Sequence, residues 1–191
     1  MQKLLFQLLF TITFGITASA QESIFKDDRD GKTYSVIRIG NQTWLGENLV
    51  YAPANGNYWS YDNDNGYSHF DGYLYDWKTA QNICPKGWHL PNDIEWQTLS
   101  NNLGGDKVAG RKMAFRSTES EFRGRFAGTR EKIFNGVDSF YRIGEHGLFW
   151  SSNEALDYDF ANARYITIYE DEFGHSERRK ESGLSVRCIK D

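Results

Sequence analysis

The sequence lacks an excess of basic charge. Its 22 Lys and Arg are outnumbered by 26 Asp and Glu, a formal net charge of −4, and the basic face that nucleic-acid binding requires is missing. Cysteine is scarce: there are 2, so a many-bridged scaffold is excluded. Cys84 and Cys188 are either one disulfide or two buried thiols, and an exported chain favours the bond. Closing a loop that spans most of the domain would contribute about 4–5 kcal/mol as an upper figure. Proline is limited to 3 residues, and neither a low-complexity tract nor an internal repeat is visible. The apolar run at residues 4–16 is interrupted by Gln7 and is too short to span a bilayer. His69, His89, His146 and His175 have no partner at metal-ligand spacing, which removes HExxH-type sites. His89, between Trp88 and Leu90, reads as structural. No serine nucleophile elbow and no phosphate-cradling glycine loop occurs.

What is present begins with MQKLLFQLLFTITFGITASA. A single Lys precedes the apolar run, and Ala18-Ser19-Ala20 ends it with small residues. The expectation is a signal peptide over residues 1–20, with no cysteine at the cleavage point to take a lipid. Residues 21–29 then form a short lead, and residues 30–191 are long enough for one domain. The expected location is exported: periplasmic, cell-surface or extracellular, with no membrane span after cleavage.

TYSVIRIGNQTWLGENL predicts a β-hairpin turning at Gly40-Asn41. Residues 51–75, rich in Tyr, Asn, Asp and Gly without a sustained period, read as an ordered irregular loop. Asp76 is placed to cap a helix over WKTAQNIC, where Trp77, Ala80 and Cys84 share a face and Pro85 stops it. Asn92 and Glu95 form a capping box for a second helix that carries Trp96, Leu99 and Leu103 and ends at Gly104-Gly105. A shorter helix or turn is expected between Lys107 and Phe115. Short strands follow at FRGRFAGT, DSFYRIGEHG, LFWSSN, ARYITIY and LSVRCIK, with EDEFGHSERRKE as a solvated hairpin tip between the last two. The fold class is α+β.

The stretch CPKGWHLPNDIEW is architectural in this reading. It ends one helix, sends Trp88 and Leu90 inward and starts the next. Together with the hairpin, LFWSSNE and the closing GLSVRCIKD, the pattern AQNICPKGWHLPNDIEWQTLSNNLGG resembles the Fibrobacter succinogenes major paralogous (FISUMP) domain from about Asp30 to Asp191. That family is similar in pattern to C-type lectin-like domains and to the formylglycine-generating-enzyme fold, and its members are typically exported bacterial proteins. The resemblance implies a C-type lectin-like α+β domain, two helices packed with short antiparallel strands. It also implies one long-range disulfide, because Ala80, Cys84 and Cys188 match the helix-to-last-strand pairing of C-type lectin-like domains.

The Glu-Pro-Asn, Gln-Pro-Asp and Trp-Asn-Asp triplets of calcium-dependent lectins do not occur. WSSNE at Trp150 is the nearest approach and reads as a core tryptophan followed by a turn. Asp62 and Asp64 alternate oxygen ligands in DNDNG, as calcium loops do, but lack the distal bidentate Glu. Any such ion would be structural, and no cofactor is required. Trp59, Tyr61 and Tyr67 lead the ligand-binding candidates, since sugar rings and protein partners both use tyrosine and tryptophan faces; the competing reading is a satellite core beneath a long loop. The expected function is a non-catalytic exported module binding a glycan or a surface protein. The alternative is a structural or adhesive envelope component. An enzyme of the formylglycine-generating type comes third, because a Cys84–Cys188 bond leaves no reactive thiol.

Overall fold

The expected hairpin is present at the start of the computed structural model, which describes residues 23–132 and 136–191. The expected leader lies outside the described residues. Strands β1 (Ser23–Lys26), β2 (Thr33–Ile39) and β3 (Gln42–Leu45) form an antiparallel meander. Its turn favours glycine. Gly40 has φ 59°, a left-handed conformation that costs other residues more, and a Cβ there would stand 2.4 Å from Asn102 Nδ2, so that the Asn102 side chain would have to shift.

The chain continues through β4 (Tyr58–Trp59), a 3₁₀ turn (Tyr61–Asn63), α1 (Asn65–Asp71), β5 (Leu74–Tyr75), α2 (Trp77–Ala80) and β6 (Trp88–His89). Helices α3 (Asp93–Asn102) and α4 (Asp106–Met113) follow. The remainder is β7 (Thr129–Lys132), β8 (Asp138–Tyr141), β9 (His146–Glu154), β10 (Phe160–Thr167), β11 (Gly174–Arg179), β12 (Leu184–Ser185) and β13 (Ile189–Lys190). The molecule is α+β, as expected. A five-stranded sheet runs β1-β2-β3-β13-β6, a six-stranded sheet runs β11-β10-β9-β12-β5-β4, and β7-β8 is a separate ribbon. Among the described residues no helix is long and apolar enough to cross a membrane.

The period-2 geometry of β9 divides the interior. Leu148 and Trp150 enter a cluster with Tyr75, Leu90 and Cys188. Phe149, pointing the other way, joins Trp44, Trp96, Phe122 and Ile166. Both faces of the larger sheet are therefore buried at its centre, and Ser151, Ser152 and Asn153 continue β9 where a turn was expected.

The stretch around Cys84 does what its composition implies. Cys84 is bonded to Cys188, with Cα atoms 5.9 Å apart; Trp88 and Leu90 are buried. Asn92 and Glu95 make the reciprocal capping box. Further details differ from expectation, among them the run FRGRFAGT, which makes only isolated bridges at Gly124 and Gly128 before β7 starts at Thr129. Helix α2 ends at Ala80, because Asn82 and Ile83 bond three residues back, to Thr79 and Ala80, and Pro85 disfavours helical backbone at Cys84. Within residues 51–75 the chain forms a helix, α1, capped by the Asp64 side chain on the Gly66 N–H. The acidic-basic segment read as a hairpin tip contains β11, paired along its length with β10.

Candidate functional site

The aromatic segment is held from beneath by charge. Arg130, only 3% exposed, places its guanidinium 4.2 Å from the Trp59 ring centroid. The same group pairs with Asp138 and donates to the Glu181 carbonyl. Trp59 is half-buried as one side of this cation–π sandwich. Tyr61 is 8% exposed and packs with Leu74, Ala127, Phe140 and Ile143. Burial pushes its phenol pKa up, while a backbone hydrogen bond with Ile143 acts in the opposite direction. Tyr67 differs. It sits on α1, 38% exposed, with only its edge against Tyr61 at 5.5 Å between centroids.

Tyr67 opens onto a pocket of about 500 Å³ that Asp71, Phe115, Arg125, Phe126 and Ile143 also line. Helix α1 places Tyr67 and Asp71 four residues apart and so on one face. Phe115 and Arg125 arrive from flanking segments tied by the Phe115 N–H to the Gly124 carbonyl, and the Gly144 N–H donates to the Phe126 carbonyl at the far wall. The Arg125 guanidinium lies 3.5 Å from the Phe115 ring centroid. Burial lowers the Arg125 pKa, partly opposed by Asp71; burial raises the Asp71 pKa, partly opposed by Arg125. Neither side chain makes a hydrogen bond or a close ion pair among the described residues.

An apolar, aromatic cavity with a few convergent polar groups of perturbed pKa is the form a small-ligand site takes. Arg125 supplies donors only, and Asp71, when ionised, acceptors only. The arrangement suits binding of a neutral polar molecule with both kinds of group. Among the described residues there is no free cysteine.

The other expected positions fall as follows. Asp64 uses a carboxylate oxygen to cap α1, and Asp62 adopts the left-handed φ of 52° in the preceding turn. Among the described residues no group of three His, Cys, Asp or Glu is placed to hold a metal, so Asp62 and Asp64 gain no third ligand of that kind. His89 bridges Glu95 and Asp191 at 2.9 and 2.7 Å. Trp150 is fully buried and its indole donates to the Tyr75 carbonyl. Of the ligand candidates, Tyr67 lies in the pocket, and Asp71, Phe115 and Arg125 were not singled out from sequence.

A model of the Fibrobacter succinogenes major domain matches residues 37–190. No curated protein and no solved structure matches the chain.

Proposed function

The chain belongs to the Fibrobacter succinogenes major domain family, and from that premise we propose that it is an exported, non-catalytic binding module of C-type lectin-like architecture that takes a glycan in the pocket around Tyr67. The family's name carries no activity, so the reading stands on the site. The observation that carries it is the pair Arg125 and Asp71, half-buried between aromatic rings with their hydrogen-bonding capacity unspent. A sugar supplies what both lack. Its ring stacks on an aromatic face, its hydroxyls donate to Asp71, and its oxygens accept from Arg125.

The architectural part is supported by the long-range bond between Cys84 and Cys188, which ties the turn after α2 to the segment entering β13. Export is supported by the same bond, since disulfides persist in oxidising compartments.

The test is a screen of the oxidised protein against a glycan panel, with calcium and with EDTA. Binding of a neutral glycan is expected to be lost in Tyr67→Ala and Arg125→Ala, with thermal stability nearly unchanged. Tyr61→Ala is expected to lower stability by about 3 kcal/mol, as a buried aromatic does. Calcium dependence would move the site toward Asp62 and Asp64. A protein partner becomes the better reading if no glycan is retained, and the exposed Ile168 and Phe115 at the rim would then form its contact.

A further inference from the structure

A second concavity lies elsewhere on the molecule, across the face of β9, β10 and β11 and under the β7-β8 ribbon, with a volume of about 840 Å³. Register puts its floor together. Tyr165 pairs with Gly174 and Ala163 with Ser176, so Tyr165, Ser176 and Arg178 share one side of the sheet. The Tyr165 ring lies directly on Gly174: a Cβ there would be 2.0 Å from its Cζ. Glycine at this position lets the ring lie flat along the floor.

The polar groups of this floor are unsatisfied. Ser176 Oγ and Arg178 Nε are buried from solvent without a hydrogen-bond partner among the described residues. Arg178 makes no ion pair there either. At the other end Arg142, in a left-handed conformation of φ 61°, donates to His146 Nε2 at 2.9 Å and pairs with no carboxylate among the described residues. An arginine always donates, so His146 accepts through Nε2 and is neutral; its lowered pKa, from burial and then from Arg142, agrees. Of the acids that line it, Glu131 is engaged by the Ser182 hydroxyl, while Glu170 and Glu177 stand at the margin, Glu177 on the opposite side of β11 from Arg178. A buried polar atom without a partner costs free energy that a ligand recovers.

We propose that this groove binds an acidic polysaccharide, with sugar carboxylates pairing with Arg178 and Arg142 and sugar hydroxyls meeting Ser176 over the Tyr165 ring. Two features favour a polysaccharide over an acidic peptide. A ligand here lies on the face of the sheet and meets side chains, whereas an extended peptide would add to the backbone of a free edge. That edge, β11, carries exposed charges at Glu177 and Arg179, which discourage strand addition. The two strand spacings between β9 and β11 give a width of about 10 Å, room for more than one sugar ring.

The experiment is calorimetric titration of the oxidised protein with polygalacturonate, with dextran as the neutral polymer and polyglutamate as the charge control. Polygalacturonate is expected to bind, weakening as salt rises, and dextran and polyglutamate to bind at least about tenfold more weakly. Arg178→Gln and Arg142→Gln are each expected to weaken binding about tenfold, the loss of one charge-assisted contact. Arg142 is exposed, so its variant reports even if Arg178→Gln fails to fold. Tyr67→Ala is expected to leave polygalacturonate binding unchanged, which separates this groove from the pocket on α1. Absence of binding, equal affinity for polyglutamate, full retention in Arg142→Gln, or loss in Tyr67→Ala would each overturn the proposal.

Discussion

Among the arginines that sit over phenylalanine rings, two do opposite things. Arg187 is fully buried, 4.3 Å from the Phe122 centroid; Arg125 is half-buried, 3.5 Å from that of Phe115. In each, burial lowers the guanidinium pKa, for Arg187 to about 9. Arg187 donates to the Leu45 and Phe122 carbonyls and to Asn48 Oδ1, joining the hairpin, the segment after α4 and the last strands. Both of its terminal nitrogens are spent inside the protein, and its Nε, buried away from both concavities, has no hydrogen-bond partner among the described residues. Those of Arg125 are unspent and face a pocket. Burial over an aromatic ring therefore does not distinguish scaffold from site; the fate of the donors does.

The comparison breaks most readily at Arg187. Replacing it by alanine leaves two carbonyls and an amide oxygen unpaired in the core and opens a cavity, a loss of about 3–5 kcal/mol. Arg125→Ala removes no protein hydrogen bond and is expected to cost less than about 1 kcal/mol. Denaturant unfolding of both variants decides. Equal losses would place Arg125 in the scaffold and remove the main support for the glycan pocket.

Next in size is the bond beside Arg187. Cys188 follows it directly, so the disulfide and the buried guanidinium hold the same segment against different parts of the fold. Replacing both cysteines by serine is expected to cost about 2–5 kcal/mol. Because Arg187 and Cys188 anchor one segment, adding Arg187→Ala to the double serine variant should cost less than the two losses added separately. Strict additivity would mean that the two anchors act independently.

Elements specified within a few residues are legible in the sequence. The α3 capping box needs only Asn92 and Glu95, and the hairpin needs only alternation around Gly40. Helix α1 is not legible, because NGYSHFD carries no apolar stripe of helical period; its start depends on one Asp64 hydrogen bond to the backbone. Strand β11 is hidden because its outward charges look the same on a strand and on a solvated turn. The pocket shows the limit most clearly. Tyr67 stands out by composition, but Asp71, Phe115 and Arg125 meet it only once α1, the segment following α4 and the turn before β9 are packed together. No spacing in the chain encodes that meeting. Tyr61 and Trp59 resemble Tyr67 in sequence, and long-range partners, Phe140 and Arg130, are what bury them.

The smallest effect expected concerns two histidines with opposite signs. His89 is partly buried, which disfavours its charged form, but hydrogen bonds to Asp191 and Glu95 outweigh burial and raise its pKa above 6.5. Its contribution is then fully present below pH 6.5 and is lost as pH rises through the raised value. Its side chain is 39% exposed, so solvent screening limits this to a few tenths of a kcal/mol. His146 has its pKa lowered, so its contribution is present above 6.5 and is lost as pH falls through the lowered value. Stability measured from pH 5 to 8 should therefore show opposing slopes that His89→Gln and His146→Gln remove separately. His89→Gln should leave a curve that rises with pH, and His146→Gln one that falls. The His89 slope belongs to the scaffold, because that ring joins the α3 cap to Asp191 and faces neither concavity. The His146 slope belongs to the groove, so an acidic polymer bound there should change it and leave that of His89 unaltered.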